Sequence, residues 1–533
     1  MNQRPILKNK YYLYLTEFFA GVSVMAVELG ASRLLAPYFS SSQIVWTIII
    51  GTIMIAMALG NLWGGRTADR DPNTDRLYLR LLVAAVWIAA IPVVGKYIIL
   101  GISGLLVLTV STNFLIIAAF CACMVIFVFP LFLLGTVTPS LVKYTVDSLD
   151  DSGRTVGTLG AFNTIGSILG TFLPTFVTIP AVGTAVTFLL FSGILLVIAL
   201  IYFLSARVKG KQAAAAVILF ALCSALGSDG SFAFWEKGLA YEGESVYNYL
   251  QVKEYPDRTV LSTNVLFGVQ SVKMKRDGLT GMYYDYALAA PVMAGVAAKA
   301  SPGILILGNG TGTYARQCAT YFPQARIEGV EIDDKITDLA YQFFDMPETV
   351  DVTTYDGRAY LQAVDARYDV ILVDAYQDIT IPFQMSSVEF FRLVRDHLEP
   401  DGVMAVNLNM HSDGEGSINQ ALCDTIASLF PFVCVVDVPG TTNRELFAAV
   451  EEDPAACLER GMEGIQAPEL SAHMERVQSS LQSCAAGEHI LTDDRAPVEV
   501  LGMRAIDGLI QSALQHYQTV FREEGFSGLL QAF

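Results

Sequence analysis

A multi-span α-helical membrane half joined to an α/β half with a mostly parallel sheet is the architecture predicted for this 533-residue chain. Three observations predict it. Long apolar runs fill residues 1–228, and short strands alternating with helices fill the chain beyond residue 300. Charge divides in the same place: residues 1–228 carry 14 Lys and Arg against 8 Asp and Glu, a net +6, and residues 229–533 carry 20 against 44, a net −24. An apolar content of 53% and a mean hydropathy of +0.46 exceed what an ordinary soluble enzyme carries.

Apolar segments at 12–36, 43–65, 77–100, 113–138, 155–180 and 183–205 are each long enough to cross a bilayer, and a seventh at 213–227 is short. The first lacks a cleavage-type terminus and further spans follow it, so it reads as a retained span. Basic residues fall on alternate loops: Arg4, Lys8 and Lys10; Arg66, Arg70, Arg76 and Arg80; Lys143 and Arg154; Arg207, Lys209 and Lys211. Only Arg33 and Lys96 lie on the other side, which places the N-terminus in the cytoplasm. Six spans leave the second half cytoplasmic and seven place it outside. The expectation is a multi-pass protein of the cell membrane in which 213–227 lies in the interface or re-enters, leaving the soluble half in the cytoplasm.

Glu17 and Glu28 project from one face of the first span. Carboxylates in lipid are costly, so they mark either a polar path or a structural pair, Glu28 with Arg33 being the candidate pair. Gly166 and Gly170, in GxxxG spacing, are expected to let two helices approach closely.

The acidic second half excludes nucleic acid as a partner, since phosphate binding needs clustered Lys and Arg. Eight cysteines without CxxC spacing and five scattered histidines predict no metal site. YNYLQVKEY (247–255) and residues 261–274 alternate as an antiparallel β appendage would. From Gly303 the pattern runs strand, helix, strand: ILILG, a helix near 313–321, RIEGVEI, a helix near 334–344, VDVTTYDG, a helix near 358–363, YDVILVDAY, a helix near 387–397 and GVMAVNLN. Such alternation implies a Rossmann-like, methyltransferase-type sheet with helices on both faces. The domains predicted are a helical membrane domain (1–228), a β appendage on the substrate side (229–300) and a catalytic α/β domain (301–533).

Ligands in such sheets sit at the carboxyl ends of the strands, where Gly308, Glu331, Asp356 and Asp374 all fall. Gly308, Gly310 and Gly312 permit a sharp turn and close approach of the backbone to a ligand, and Glu331 at the next strand end is placed to accept both hydroxyls of a ribose. Asp356 in YDGRAYL either accepts the exocyclic amine of an adenine or caps a helix. Asp374 ends the very apolar strand VILV, where a carboxylate has few structural uses.

The succession ESVYNYLQV (244–252), GVQS (268–271), LGNGTGT (307–313), VEID (330–333), YDG (355–357) and VDAY (373–376) resembles the spermidine synthase family of polyamine aminopropyltransferases. ELGASRLLAPYF, GAFNTIGSILGTFLPTFVTIPAVG and the ending ILTDDRAPVEVL resemble its membrane-embedded members, whose N-terminal spans are fused to the synthase-like domain. The run GNLWGGRTADR (60–70) separately resembles the loop after the second span of major facilitator transporters, implying a tight glycine-rich turn carrying Arg66, Asp69 and Arg70.

The synthase resemblance implies that Glu331 holds the ribose, Asp356 and Gly357 the adenine, and Asp374 the reacting amine. By the same resemblance Asn248 falls on the cofactor side, and Gln270, Tyr284 and Asp378 on the substrate side. The Tyr376 hydroxyl either assists the reaction or only shapes the wall. The implied co-substrate is decarboxylated S-adenosylmethionine or S-adenosylmethionine; the implied partners are a small amine or other nucleophilic acceptor and the lipid bilayer, with a homodimer possible. The chain departs from the family at Thr311, where an aspartate is usual, at Gln377, which stands for the second aspartate past Asp374, and at Tyr283–Asp285, which stand for a tyrosine-histidine-glutamate run. These departures point to a different acceptor or a different transferred group. Three functions compete: aminopropyl transfer from a sulfonium to an amine, a methyl or other alkyl transfer to a membrane-delivered acceptor, and a transporter or sensor whose soluble domain only binds ligand.

Overall fold

The computed structural model describes residues 6, 9–145, 152–228, 232, 238–264, 268–375, 381–409 and 414–532. It divides into two compact units: Met1–Trp235 with Gly243–Tyr249 and Gln511–Phe533, and Glu236–Glu242 with Leu250–Ile510.

The first unit is helical: α1 (Lys10–Phe39), α2 (Gln43–Arg70), α3 (Thr74–Val107), α4 (Phe114–Ile126), α5 (Val128–Gly135), α6 (Val137–Thr145), α7 (Ser152–Leu173), a π-helical turn (Pro174–Thr178), α8 (Ile179–Ala206) and α9 (Gly210–Gly227). Side chains of Asn9, Ser42 and Asn73 accept from the first-turn amides of α1, α2 and α3 and satisfy donors that a helix start leaves open. Among the described residues, six helical stretches are long and apolar enough to cross a membrane: Lys10–Phe39, Gln43–Arg70, Thr74–Val107, Val128–Thr145, Ser152–Ala206 and Gly210–Gly227, the last being α9. Gly183, at φ 79° and ψ 168°, interrupts α8 where the sequence divides two apolar segments.

Glycines set the packing. A Cβ on Gly166 or Gly170 would collide with the Phe18 or Val22 carbonyl of α1, and one on Gly21 would strike the Asn163 carbonyl of α7. The GxxxG pair therefore brings α1 and α7 into backbone contact. Gly166→Leu is expected to destabilise the solubilised protein by about 1–3 kcal/mol through overpacking, read as a lower thermal unfolding midpoint in detergent; an unchanged midpoint would contradict this helix contact.

The expected glycine-rich turn at 60–70 is instead helical. α2 continues through Arg70, because Gly60 and Gly64 let its last turns lie against Phe132 and Thr136 rather than bend the chain. Lys143 Nζ pairs with Asp69 at 2.8 Å, and the Arg80 guanidinium lies 4.3 Å from the Trp63 ring centre. Glu17 is fully buried, and its Oε1 accepts from Thr138 Oγ1 (2.6 Å) and Asn163 Nδ2 (2.8 Å). Arg33 donates to the Val246 carbonyl.

The second unit opens with an antiparallel sheet, in the order β1 (Leu239–Glu244), β2 (Tyr249–Glu254), β3 (Arg258–Thr263), β4 (Ser271–Met274). Short helices α10 (Tyr283–Ala287) and α11 (Ala289–Met293) follow. Strands and helices then alternate as the sequence predicts: β5 (Gly303–Leu307), α12 (Thr313–Tyr321), β6 (Arg326–Glu331), α13 (Asp334–Phe343), β7 (Asp351–Thr354), α14 (Gly357–Ala363), β8 (Tyr368–Val373), α15 (Val388–Asp396) and β9 (Leu398–Leu408). After these come α16 (Ile418–Ala427), β10 (Phe432–Asp437), β11 (Arg444–Ala449), α17 (Pro454–Met462), α18 (Pro468–Ser480), β12 (Gln482–Ser483) and α19 (Val498–Ala532).

The large sheet has the order β12-β10-β11-β9-β8-β5-β6-β7, parallel from β9 to β7 and antiparallel at β10 to β12. The β5 and β8 strands are buried on both faces, so they read as continuous apolar runs. One face packs against α10, α11, α12, α17 and α18 around Tyr283, Tyr314, Leu458 and Met474; the other packs around Phe390, Phe391, Leu422 and Phe430.

Candidate active site

The glycine loop after β5 takes backbone angles that side chains resist: φ is 90° at Gly308, 53° at Gly310 and 76° at Gly312. A Cβ on Gly308 would stand 2.5 Å from the Asp374 carbonyl, and one on Gly310 2.7 Å from Ser271 Oγ. The loop thus folds tightly against the end of β8 and the start of β4. Glu331 closes it from the next strand, with Oε2 accepting from Gly310 N (2.8 Å) and Oε1 from Asp333 N (3.1 Å). Burial raises the Glu331 pKa to about 7, against the pull of those two amides.

Asp374 follows the last residue of β8. Its Oδ1 accepts from Asn407 Nδ2 and its Oδ2 from the Tyr283 hydroxyl, both at 2.8 Å. Asn443 Nδ2 in turn donates to Asn407 Oδ1 at 2.9 Å, which fixes the amide so that its NH₂ faces Asp374. Burial raises the Asp374 pKa to about 7, while Asn407 and Tyr283 favour the charged form. A carboxyl so poised changes protonation near neutrality and is suited to taking a proton from an amine.

Register aligns a third acid with it. Val373 pairs with Val406 and Asn407 pairs with Glu445, so Asp374, Asn407 and Glu445 form one row across strands about 4.8 Å apart. Glu445 is fully buried, and neither carboxyl oxygen has a partner among the described residues. Desolvation first and the Asp374 charge second push its pKa well above the usual carboxylate value. Asn309 is 6% exposed with both amide atoms unpartnered, and the buried Thr311 Oγ1 is unpartnered too, among the described residues. These groups line the glycine loop and await hydrogen-bonding partners.

The structure brings Gly308, Gly310, Glu331 and Asp374 together, with Gln270 and Tyr284 beside the loop. The Tyr284 hydroxyl donates to the Gln270 carbonyl (3.0 Å), and Ser271 Oγ accepts from Thr311 N (3.3 Å). Gly312 packs against Met346, and Gly357 begins α14 against Met385 and Leu307. Asp356 caps that helix, Oδ1 accepting from Ala359 N at 2.9 Å, so the capping reading holds for one oxygen. Asn248 lies in the first unit, in a turn where Ser245 Oγ accepts from its amide (2.9 Å). Tyr376, Gln377 and Asp378 lie outside the described residues. Asp285 accepts from Thr280, Gly281 and Gln317, so it braces a turn.

Sequence reasoning missed Asn407, Asn443 and Glu445, and named Tyr283 only as part of the run that stands for the family's tyrosine-histidine-glutamate motif. A usable signal existed for two of the three missed residues. Asn407 interrupts the apolar run GVMAVNL and Glu445 precedes LFAAV, the same polar-at-a-buried-strand-end pattern that singled out Asp374.

A glycine turn, an acid on the neighbouring strand and a carboxyl at the next strand tip define the strand-end crevice of a nucleotide-type α/β domain. The spermine/spermidine synthase domain matches residues 289–453. A Bifidobacterium longum protein named "Probable polyamine aminopropyl transferase" is 55% identical over 350 residues, covering 62% of this chain and 78% of that one. A polyamine aminopropyltransferase of Vibrio vulnificus is 29% identical over 199 residues, 36% of this chain and 65% of that one. A solved probable spermidine synthase from Corynebacterium glutamicum is similar over 47% of this chain and 98% of that one, at 22% identity and TM-score 0.35. The chain belongs to the polyamine aminopropyltransferase (spermidine synthase) family, a family of transferases.

Proposed function

We propose that this chain moves an aminopropyl group from decarboxylated S-adenosylmethionine to an amine acceptor, on the cytoplasmic side of a membrane that its N-terminal helices cross. The observation that carries this reading is the Asp374 carboxyl, held by Asn407 and Tyr283 beside the Glu331–Gly310 loop. Glu331 takes the ribose hydroxyls on its remaining lone pairs, Asp356 and Gly357 take the adenine, and the positive-φ glycine loop lets the backbone reach the adenosyl group. The unpartnered Asn309 and Thr311 groups fit a polar ligand there. Gln270 and Tyr284 shape the acceptor side, with Tyr376 and Asp378 assigned from sequence alone, as is Asn248.

The reaction is a displacement at carbon. The amine lone pair attacks the methylene bonded to the sulfonium, the C–N bond forms, the C–S bond breaks, and the sulfur leaves as a neutral thioether. An ammonium is not a nucleophile, so a proton passes from the acceptor nitrogen to Asp374 before or during attack. Holding nitrogen, carbon and sulfur in line supplies much of the rate. The Tyr283 hydroxyl is one of two donors that favour ionised Asp374. Tyr283→Phe is therefore expected to move the acid limb of kcat/KM up by about one pH unit, read from a pH–rate profile; an unmoved limb would separate Tyr283 from the base.

One observation favours a second reading. Thr311 stands where the resemblance expects an aspartate for the aminopropyl ammonium, and its buried hydroxyl carries no charge. Transfer of a different alkyl group, from S-adenosylmethionine itself, follows if the carboxylated sulfonium binds. Calorimetric titration of the purified protein with both sulfoniums decides between them: selective binding of the decarboxylated form supports aminopropyl transfer, and selective binding of the carboxylated form overturns it.

A further inference from the structure

Period-two alternation decides where the three residues at the strand tips point. Val370 and Leu372 of β8, Val403 and Ala405 of β9, and Phe447 and Ala449 of β11 lie in one core cluster with Tyr283 and Tyr314. Asp374, Asn407 and Glu445 continue those three alternations, so their side chains project to the same face in a single row. Helix α10 packs over this row, against both β9 and β11. Its Tyr283 hydroxyl donates to Asp374 at 2.8 Å, and its Tyr283 and Tyr284 rings lie with centroids 4.0 Å apart. The Tyr314 hydroxyl is occupied by the Ala287 carbonyl at 3.2 Å.

Glu445 differs from its two neighbours in the row. Asp374 has Asn407 and Tyr283 on its two oxygens, and Asn407 has Asp374 on its amide nitrogen and Asn443 on its carbonyl. Glu445 is 0% exposed, and neither of its oxygens has a hydrogen-bond or ion-pair partner among the described residues. An apolar side chain would fill that place in the core of Val, Ala and Phe at lower cost. Burying an unpaired carboxyl costs stability, and the group that offsets the cost is a cation.

We propose that Glu445 is an acceptor-binding residue that selects linear diamines by holding the ammonium that does not react. This deepens the aminopropyl-transfer reading and rests on it. Asp374 and Glu445 stand two strands apart, about 10 Å between their backbones. An aliphatic diamine of about three to five carbons bridges that span when each nitrogen lies at hydrogen-bond distance from its own carboxyl. The reacting nitrogen faces Asp374, the methylenes cross the neutral Asn407, and the second nitrogen, an ammonium throughout, lies against Glu445. Gln377 stands where the family resemblance expects an acid beside the amine, and Glu445 brings a carboxyl from another strand.

The test is calorimetric titration of the full chain in detergent with diaminobutane, with butylamine and, separately, with methylthioadenosine. In the wild type the diamine is expected to bind about 10–100-fold more tightly than the monoamine, the worth of one charge-assisted hydrogen-bonded pair. Glu445→Gln is expected to abolish that preference, and Glu445→Asp, which keeps the charge, to retain part of it. A merely structural role would not move the ratio of the two affinities. A Glu445→Gln protein that still prefers the diamine overturns the proposal, and equal affinities in the wild type overturn it even where neither variant folds. Methylthioadenosine reports on the crevice itself: if it fails to bind, the transferase reading falls, whereas the two amine titrations decide the Glu445 site without it.

Discussion

Asp374→Asn is expected to lower kcat by on the order of 10²–10⁴-fold, the range that removal of a positioned general base produces, while leaving sulfonium affinity within a factor of about two. The asparagine keeps the shape and can accept from Tyr283 through its carbonyl, giving up the hydrogen bond from Asn407, and it makes no contact with Glu331 on the adenosyl side. What it loses is the place for the amine proton. The same group sets the pH dependence. Burial holds the Asp374 pKa at about 7, and only the ionised form accepts a proton, so kcat/KM in the wild type falls as pH drops through 7 and levels off above it. Each of the two carboxyls that must be ionised, Asp374 and Glu331, contributes up to a tenfold loss per pH unit on the acid side. Steady-state rates from pH 5 to 9, with sulfonium binding measured separately, check both statements; turnover that survives Asp374→Asn would remove the base from the account.

Glu331→Ala acts on the other half of the site. In the proposed role, two charge-assisted hydrogen bonds to ribose hydroxyls would be worth about 1.5–3 kcal/mol each, so sulfonium binding is expected to weaken by on the order of 10²–10⁴-fold. Part of that loss comes from the loop itself, because Gly310 N and Asp333 N both donate to this carboxylate. Glu331→Gln separates the contributions. It retains an acceptor for one amide and loses the charge, so it should lie between wild type and alanine in titration calorimetry. Equal affinity in all three proteins would place the ribose elsewhere.

The order of strands and helices from Gly303 to Leu408 was legible because the central strands β5 and β8 carry buried apolar runs punctuated by a glycine or an acid just past their ends. Gly308, Glu331 and Asp374 were legible for the same reason: they are the punctuation. Tyr283 was legible only as part of the run standing for a family motif, because it sits on a five-residue helix and only the tertiary fold carries its hydroxyl to Asp374. Glu445 carried the same local signal as Asp374, but its strand is antiparallel and added after the parallel core, so its register with Asn407 was not legible. The run at 60–70 misled in the opposite direction. Its glycines suggested a turn, but in a helical unit glycine also permits helix contact, and Gly60 and Gly64 serve that use.

The most direct test of an adenosyl sulfonium gripped at the strand tips is mass-spectrometric product analysis. The full chain, in detergent and in liposomes, is supplied with each of the two sulfoniums against a panel of amines. The account predicts an amine product enlarged by one aminopropyl group and an equal amount of methylthioadenosine, from the decarboxylated sulfonium only. Methylated products from S-adenosylmethionine, or no transfer from either sulfonium under conditions where the protein remains folded, would contradict it.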